Sequence, residues 1–366
     1  MRVALVHDWL VQVRGGEKVL EALAELFPKA TIHTLFYDRE RLSPALQSRK
    51  IKASYLQKIP GIKKFYRWLL PLFPHAVQSL EIEDVDLVIS SSHCVAKGVR
   101  IPPGAYHLCY CHTPMRYVWG YGKDYFDHFP PLVKSAVFKI LKELRHWDFS
   151  SAQTVDQFVA NSENVQHRIQ RFYERPAEVT YPPLDLESFF SLGEPVTDHY
   201  LVVSAFVPYK RIDLAIRAFN QLDRNLWIVG EGPLENHYRR LCQSKKIRFL
   251  GSVGGEKLRQ LYATARALVF PTEEDFGIVP LEAQACGTPV IALAKGGALE
   301  SVYHGVFFKD QTAEALVEAV LEFENLSFDR KKVELAVAHF DKKNFQTQFL
   351  NLIRRCLESQ PAHALP

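Results

Sequence analysis

No run of about 18 or more apolar residues occurs in this 366-residue chain, so its sequence offers no helix that would cross a bilayer. The opening "MRVALVHDWL" has neither a long apolar region nor a small-residue cleavage site, and it reads as a first strand rather than a signal peptide. Cysteine is sparse: six residues, at 94, 109, 111, 242, 286 and 356, without scaffold spacing. That sets aside a disulfide framework and fits a reducing compartment. Only "CYCH" (Cys109, Cys111, His112) forms a tight group, and no second group completes a ligand set, so a buried strand without metal is expected there. Charge of one sign is also in short supply. A net charge of +4 is too small to argue for nucleic acid, and no RNA-binding module signature accompanies it. Neither GxxxxGK[ST] nor a complete GxGxxG is present, which excludes a P-loop and the dinucleotide fingerprint. Repeats and low-complexity tracts are missing as well.

What is there is alternation. Short apolar runs at 2–7, 31–36, 86–92, 107–112, 158–162, 200–206, 225–232, 247–253, 267–272 and 289–293 are strand candidates. Helical patterns fall between them, at 16–27, 132–147, 210–221, 234–244, 255–265 and 312–324. The strands lack period-2 alternation, as expected when both faces of a parallel sheet are covered by helices. The length suits two to three domains. A break at "YPPLDLESFFSLGEPVTDHY" (181–200) holds paired prolines and no periodic pattern. The expected organisation is therefore two doubly wound α/β halves, 1–183 and 184–345, followed by an amphipathic helix in 346–366 whose packing partner is open.

In open α/β sheets, ligands bind outside the carboxyl ends of the strands, where helix N-termini point. Four stretches occupy such positions. In "HDWLVQVRGGEK", Gly15 and Gly16 precede a helix and let backbone N–H groups approach an anion. In "VPYKRIDLAI", Lys210 and Arg211 stand where a strand hands over to a helix, an arrangement that opposes the helix dipole unless an anion such as a diphosphate joins them. In "VGEGPLENH", Gly230 and Gly232 close a strand. In "EEDFGIVPLE", Glu274 and Glu282 bracket Gly277 and Pro280 at the start of a helix that Gly287 ends. Two carboxylates would repel a diphosphate but accept hydrogen bonds from hydroxyls. A nucleotide-sugar offers hydroxyls at both ends, with the diphosphate between.

"EDFGIVPLEAQACGTPVIA" resembles the E-x7-E signature of retaining GT-B glycosyltransferases of family 4, and "YCHTPMRYVW", "VANSENVQHRI", "VTYPPLDLESF" and "VPYKRIDLAI" resemble that family's other landmarks in order. The resemblance implies two Rossmann-like domains facing a cleft and sugar transfer from a nucleotide donor with retained configuration, with neither metal nor other cofactor. It implies Glu274 near the donor C1, Glu282 on the ribose, backbone contacts from Gly277 and Ile278, Lys210 on the diphosphate and His112 beside the sugar. Gly15 and Gly16 would close on the phosphate. Where the family usually carries an arginine about five residues before the lysine, this chain has Ala205, and Arg211 is the expected substitute. The "HTPMRY" variant resembles bacterial mannosyltransferases of surface-polysaccharide pathways, which implies GDP-mannose as donor, with UDP-sugars left open, and a lipid-linked glycan hydroxyl as acceptor. A "DVD" at 84–86 lies before its strand, at the wrong end of the sheet for a metal-binding DxD.

Between Arg41 and Leu80 there is no acidic residue and there are eight basic ones, with Trp68, Leu69, Leu70, Leu72 and Phe73 among them. Cations beside such side chains suit an anionic membrane surface, so 49–73 is expected to hold a cytoplasmic enzyme peripherally on the inner face of the membrane. Two other functions stay open. One is a hydrolase using Glu274 and Glu282 as its acid/base pair, and the other is a nucleotide-sugar-binding subunit that has lost catalysis.

Overall fold

The computed structural model describes residues 1–12, 15–120, 131–186, 189 and 195–358. The chain divides into two compact units, Met1–Pro183 together with the chain from Lys343 onward, and Leu184–Lys342. Each is built on one wholly parallel sheet, so both are Rossmann-like units.

In the first unit the strands are β1 (Val3–His7), β2 (Thr31–Thr34), β3 (Ile51–Ala53), β4 (Leu87–Ser92), β5 (Tyr106–Cys111), β6 (Gln157–Ala160) and β7 (Ala177–Val179), in the order β3-β2-β1-β4-β5-β6-β7. In the second they are β8 (His199–Val203), β9 (Asn225–Val229), β10 (Ile247–Gly251), β11 (Ala267–Phe270), β12 (Val290–Leu293) and β13 (Gly305–Phe308), in the order β10-β9-β8-β11-β12-β13. The central strands are buried on both faces, which is why they carry no polar alternation. In each sheet the strand order reverses once, between β1 and β4 and between β8 and β11. That reversal opens a crevice at the carboxyl ends. β3, β7 and β13 do not stand out in the sequence. They are edge strands of three or four residues, with half-exposed patterns too short to show a period.

The helix Glu163–Tyr173 is not among the helical patterns read from the sequence, yet it is fixed locally: the Ser162 hydroxyl accepts the Val165 N–H at 3.0 Å, and Val165, Ile169 and Tyr173 face the core. The closing helix Lys342–Glu358 buries Phe345, Phe349, Leu352, Ile353 and Cys356 against Leu5, Leu20 and Tyr110 of the first unit. Those five positions make one stripe at helical spacing.

The helix Pro131–Ala152 is fastened to its sheet by a buried ion pair. Lys97, 1% exposed, pairs with the Asp148 carboxylate. Asp148 also accepts from Trp119 Nε1 at 2.7 Å and Tyr173 OH at 2.8 Å. Burial opposes the charge on Lys97, but Asp148 outweighs it and its pKa is raised. Cys109 and Cys111 lie buried in β5, and Asp84 and Asp86 pair with Arg2 at the amino end of the sheet. Among the described residues, no three His, Cys, Asp or Glu side chains are placed to hold a metal ion.

Candidate active site

In the second unit the loops leaving β8 and β11 meet at the strand-order reversal. Lys210 ends the short turn Pro208–Lys210, and its ammonium pairs with the Glu274 carboxylate from the loop after β11. Both side chains are mostly shielded, 19% and 12% exposed, so the pair sits in a crevice and not on an open face. Thr272 ties the two loops together, its hydroxyl donating to the Tyr209 carbonyl at 2.9 Å.

A third loop supports Glu274 from behind. Gly297 N–H donates to the Glu274 carbonyl at 2.9 Å, and a Cβ on Gly297 would come within 2.2 Å of the Phe276 Cα. Only glycine lets the two backbones touch there. Gly277, at φ 92°, caps the helix Ile278–Ala285, and Gly287, at φ 77°, lies just past its end. The first-turn N–H groups of that helix start at Gly277 and Ile278, as an anion site needs. Glu282 lies one turn in, 7% exposed, and accepts from Tyr262 OH at 3.0 Å. Burial first, then the Glu282 carboxylate, hold the Tyr262 phenol well above its ordinary pKa, so it stays a donor.

Arg211 is placed differently from Lys210. It adopts left-handed backbone, φ 50°, before the helix Ile212–Gln221. Its guanidinium donates to Asp213 at 3.2 and 3.3 Å and to Gln311 at 3.2 Å. The two neighbouring cations thus have different partners. Gly230, at φ 135°, has a packing role: a Cβ there would lie 1.8 Å from the Ser204 carbonyl oxygen, so the glycine lets two loops stack. Thr272, Tyr262, Gln311 and Gly297 are supporting residues that sequence reasoning passes over, because each acts through a neighbour distant in the chain.

In the first unit the reversal between β1 and β4 gathers a second polar group. Gly15 and Gly16 begin the helix Gly15–Leu26. A Cβ on Gly16 would lie 3.6 Å from both His112 Nε2 and His7 Cε1, so the helix start rests on two imidazoles. The Ser91 hydroxyl links them, at 2.8 Å from His112 Nε2 and 3.1 Å from His7 Nδ1. A hydroxyl has one proton to give, so one ring nitrogen donates to Ser91 while the other accepts. Burial, reinforced by the neighbouring histidines, holds His112 well below its ordinary pKa, and burial takes His7 down to about 3. Both are neutral near pH 7.

Asp8 was not among the expected residues, although "HDW" places it directly after the first strand. It is fully buried. Its carboxylate accepts the N–H groups of His93, Cys94, Val95 and Ala96 at 2.6–3.0 Å and faces His93 Nδ1 at 3.0 Å. Burial opposes the charge on both partners, but their mutual attraction and hydrogen bond win: His93 is raised and Asp8 lowered. His93 is also held edge-on to Trp9, ring centroids 4.5 Å apart.

Two family models match the chain, "Glycosyltransferase Family 4" over residues 13–188 and "Glycosyl transferases group 1" over 187–338. The chain belongs to the GT-B glycosyltransferases of the family 4 type. An uncharacterised glycosyltransferase of Methanocaldococcus jannaschii is 23% identical to it over 356 residues, 94% of each chain. A GDP-mannose-dependent monoacylated alpha-(1-6)-phosphatidylinositol monomannoside mannosyltransferase of Corynebacterium glutamicum is 36% identical over 136 residues, 32% of this chain and 36% of that one. The crystal structure of Anabaena Alr3699/HepE in complex with UDP-glucose superposes with a TM-score of 0.70 at 17% identity, covering 97% of this glycosyltransferase and all of that chain.

Proposed function

We propose that this glycosyltransferase moves mannose from GDP-mannose to a hydroxyl of a lipid-linked glycan in surface-polysaccharide assembly, with retained configuration and without a metal. The observation that carries the reading is the Lys210–Glu274 pair at the strand-order reversal, set beside the N-terminus of Ile278–Ala285 with Glu282 one turn in. A bound diphosphate would take Lys210 as its cation and leave Glu274 facing the sugar. In a front-face step the acceptor oxygen bonds to C1 as the C1–O bond to phosphate breaks. The electron pair goes to the diphosphate, and the acceptor proton goes to its departing oxygen. Lys210 and the helix N–H groups stabilise that developing charge. Neutral His112 would hydrogen-bond a sugar hydroxyl, and Gly15 and Gly16 would admit the phosphate. Support for mannose comes from the mannosyltransferase likeness. The UDP-glucose complex lies at an identity that speaks for fold alone.

A thermal-shift panel of GDP and UDP tests the base, since ligand binding stabilises the native state by mass action. Release of nucleotide diphosphate from GDP-mannose in EDTA, with and without a lipid-linked glycan acceptor, tests the reaction. Release that depends on acceptor and survives EDTA is expected. Binding without release would leave a nucleotide-sugar-binding subunit, the role that Ala205 hints at. Glycan cleavage with no nucleotide would make Glu274 and Glu282 a hydrolytic pair. Recovery by Mg²⁺ after EDTA would end the metal-free mechanism.

Lys210→Ala is expected to weaken GDP binding at least about tenfold, the worth of a charge-assisted hydrogen bond, while guanosine binding stays unchanged. Equal losses in calorimetry for both ligands would make Lys210 structural.

The basic segment supports a peripheral place on the inner face of the cytoplasmic membrane. It anchors Leu56, Ile62, Tyr66, Leu70 and Phe73 in the core and turns Trp68 outward, 71% exposed. Lys63 is partly neutralised by Asp38 at 2.8 Å, which leaves Lys58, Lys64 and Arg67 as the stronger contributors. Each cation near an anionic bilayer adds about 1 kcal/mol. Cosedimentation with phosphatidylglycerol vesicles should therefore weaken as salt shortens the screening length, and should be lost when those three residues become serine. Wild-type protein that ignores such vesicles at low salt would reduce the segment to a solvated face.

A further inference from the structure

A cavity of about 580 Å³ opens on the first unit between the segment Tyr66–Gln78 and the helix Pro131–Ala152. Pro71 and Pro74 form one wall, and Ile140, Leu144 and Trp147 the other. Those three helix positions are spaced four and three residues apart, so they make one continuous apolar strip. Ile140 is 41% exposed, so apolar surface runs out through the mouth. The polar lining groups are two cationic or titratable ones, Lys139 and His146, with Glu143 between them and Ser150 farther along the helix.

This cavity adjoins the proposed membrane face. Pro71 lies in the 3-10 segment Tyr66–Leu72, one turn after Trp68, and in that helix residues three apart eclipse one another. Trp68 and the Pro71 wall therefore share a side. Leu72, 45% exposed, comes next in the chain. Just before them in the chain, exposed Lys58, Lys64 and Arg67 belong to the stretch without an acidic residue. A surface with this charge recruits anionic headgroups, and a largely apolar slot beside it accepts what hangs from such a headgroup.

We propose that the slot takes one acyl chain of a phospholipid from the anionic bilayer, drawn out alongside Trp68 and held between the Pro71–Pro74 wall and the Ile140–Leu144–Trp147 strip. The proposal rests on the membrane reading above and adds to it a defined chain site. Charge holds the protein to the bilayer, and the slot adds a separate place for one chain.

Decyl- and dodecylphosphocholine, each below its critical micelle concentration, isolate the chain from the bilayer. Calorimetry on the full chain should show the dodecyl compound binding roughly fifteenfold more tightly, as two further methylenes leave water. Ile140→Trp fills the slot while keeping it apolar. It should abolish this binding and leave cosedimentation with phosphatidylglycerol vesicles intact. Ser150→Phe, on an exposed lining position, serves the same purpose if Ile140→Trp unfolds. The Lys58, Lys64 and Arg67 serine variant should do the reverse. Equal affinity for the two chain lengths, or binding that survives both filling variants, overturns the slot even if vesicles still bind. Chain binding in a protein that ignores vesicles overturns the bilayer as its source. Self-association lost in Ile140→Trp would assign the slot to a second copy, and overturns the proposal.

Discussion

Glu274→Gln is expected to lower sugar transfer at least about a hundredfold while changing GDP affinity only a few-fold. The substitution keeps the shape of the side chain and its capacity to accept a hydrogen bond. It removes the negative charge that faces Lys210. If that carboxylate meets positive charge developing at the sugar C1, its effect is realised in the transition state and not in the ground state, so turnover falls and binding does not. Removing one preorganised electrostatic partner commonly costs two to three orders of magnitude in rate, which sets the expected size. The backbone at 274 is held by Gly297 and should not move. Steady-state rates with a defined acceptor, beside GDP titrations, decide it. Unchanged turnover removes Glu274 from the reaction. A parallel loss of GDP affinity makes it part of the binding site instead.

Asp148→Asn is expected to destabilise the first unit by about 3–5 kcal/mol, because it leaves the Lys97 ammonium buried without its counter-charge. That is a large share of the roughly 5–15 kcal/mol by which a native domain is stable. The second substitution should undo most of the damage. Lys97→Met combined with Asp148→Asn removes the stranded charge, and an asparagine oxygen can still accept from Trp119 and Tyr173. Urea unfolding followed by circular dichroism should then place the double variant nearer to wild type than to Asp148→Asn. Two losses that simply add would mean that the pair is not coupled. The contribution has a pH window set by Lys97. Its folded pKa is raised, so the stabilisation is complete below the ordinary lysine value near 10.5 and fades only as pH rises through the higher folded value.

The order of the central strands' loops, the catalytic-looking acids and the domain types were legible from local chemistry. β11 and β12 are unbroken apolar runs because both their faces are covered, and a run of that kind announces itself in the sequence. Glycines near a helix start, a carboxylate after a strand and a lysine before a helix are each local events. Gly16, Glu274, Gly277, Glu282 and Lys210 could therefore be picked out one at a time. Edge strands β3, β7 and β13 could not, because three or four half-exposed residues hold too little pattern.

Partnership belongs to the tertiary structure. Lys210 and Glu274 are 64 residues apart, and nothing local to either says that they pair. Arg211 sits next to Lys210 in sequence, yet its left-handed backbone sends it to Asp213 and to Gln311, 100 residues away. Nothing local to Asp8 marks it out; the fold brings four N–H groups and His93 around it, 85 to 88 residues on. Periodicity and turn chemistry act within a few residues and are written in the sequence. Burial, counter-charge and hydrogen-bond satisfaction act across the sheet, so only the folded chain decides which charged side chains are paired and which ones face a ligand.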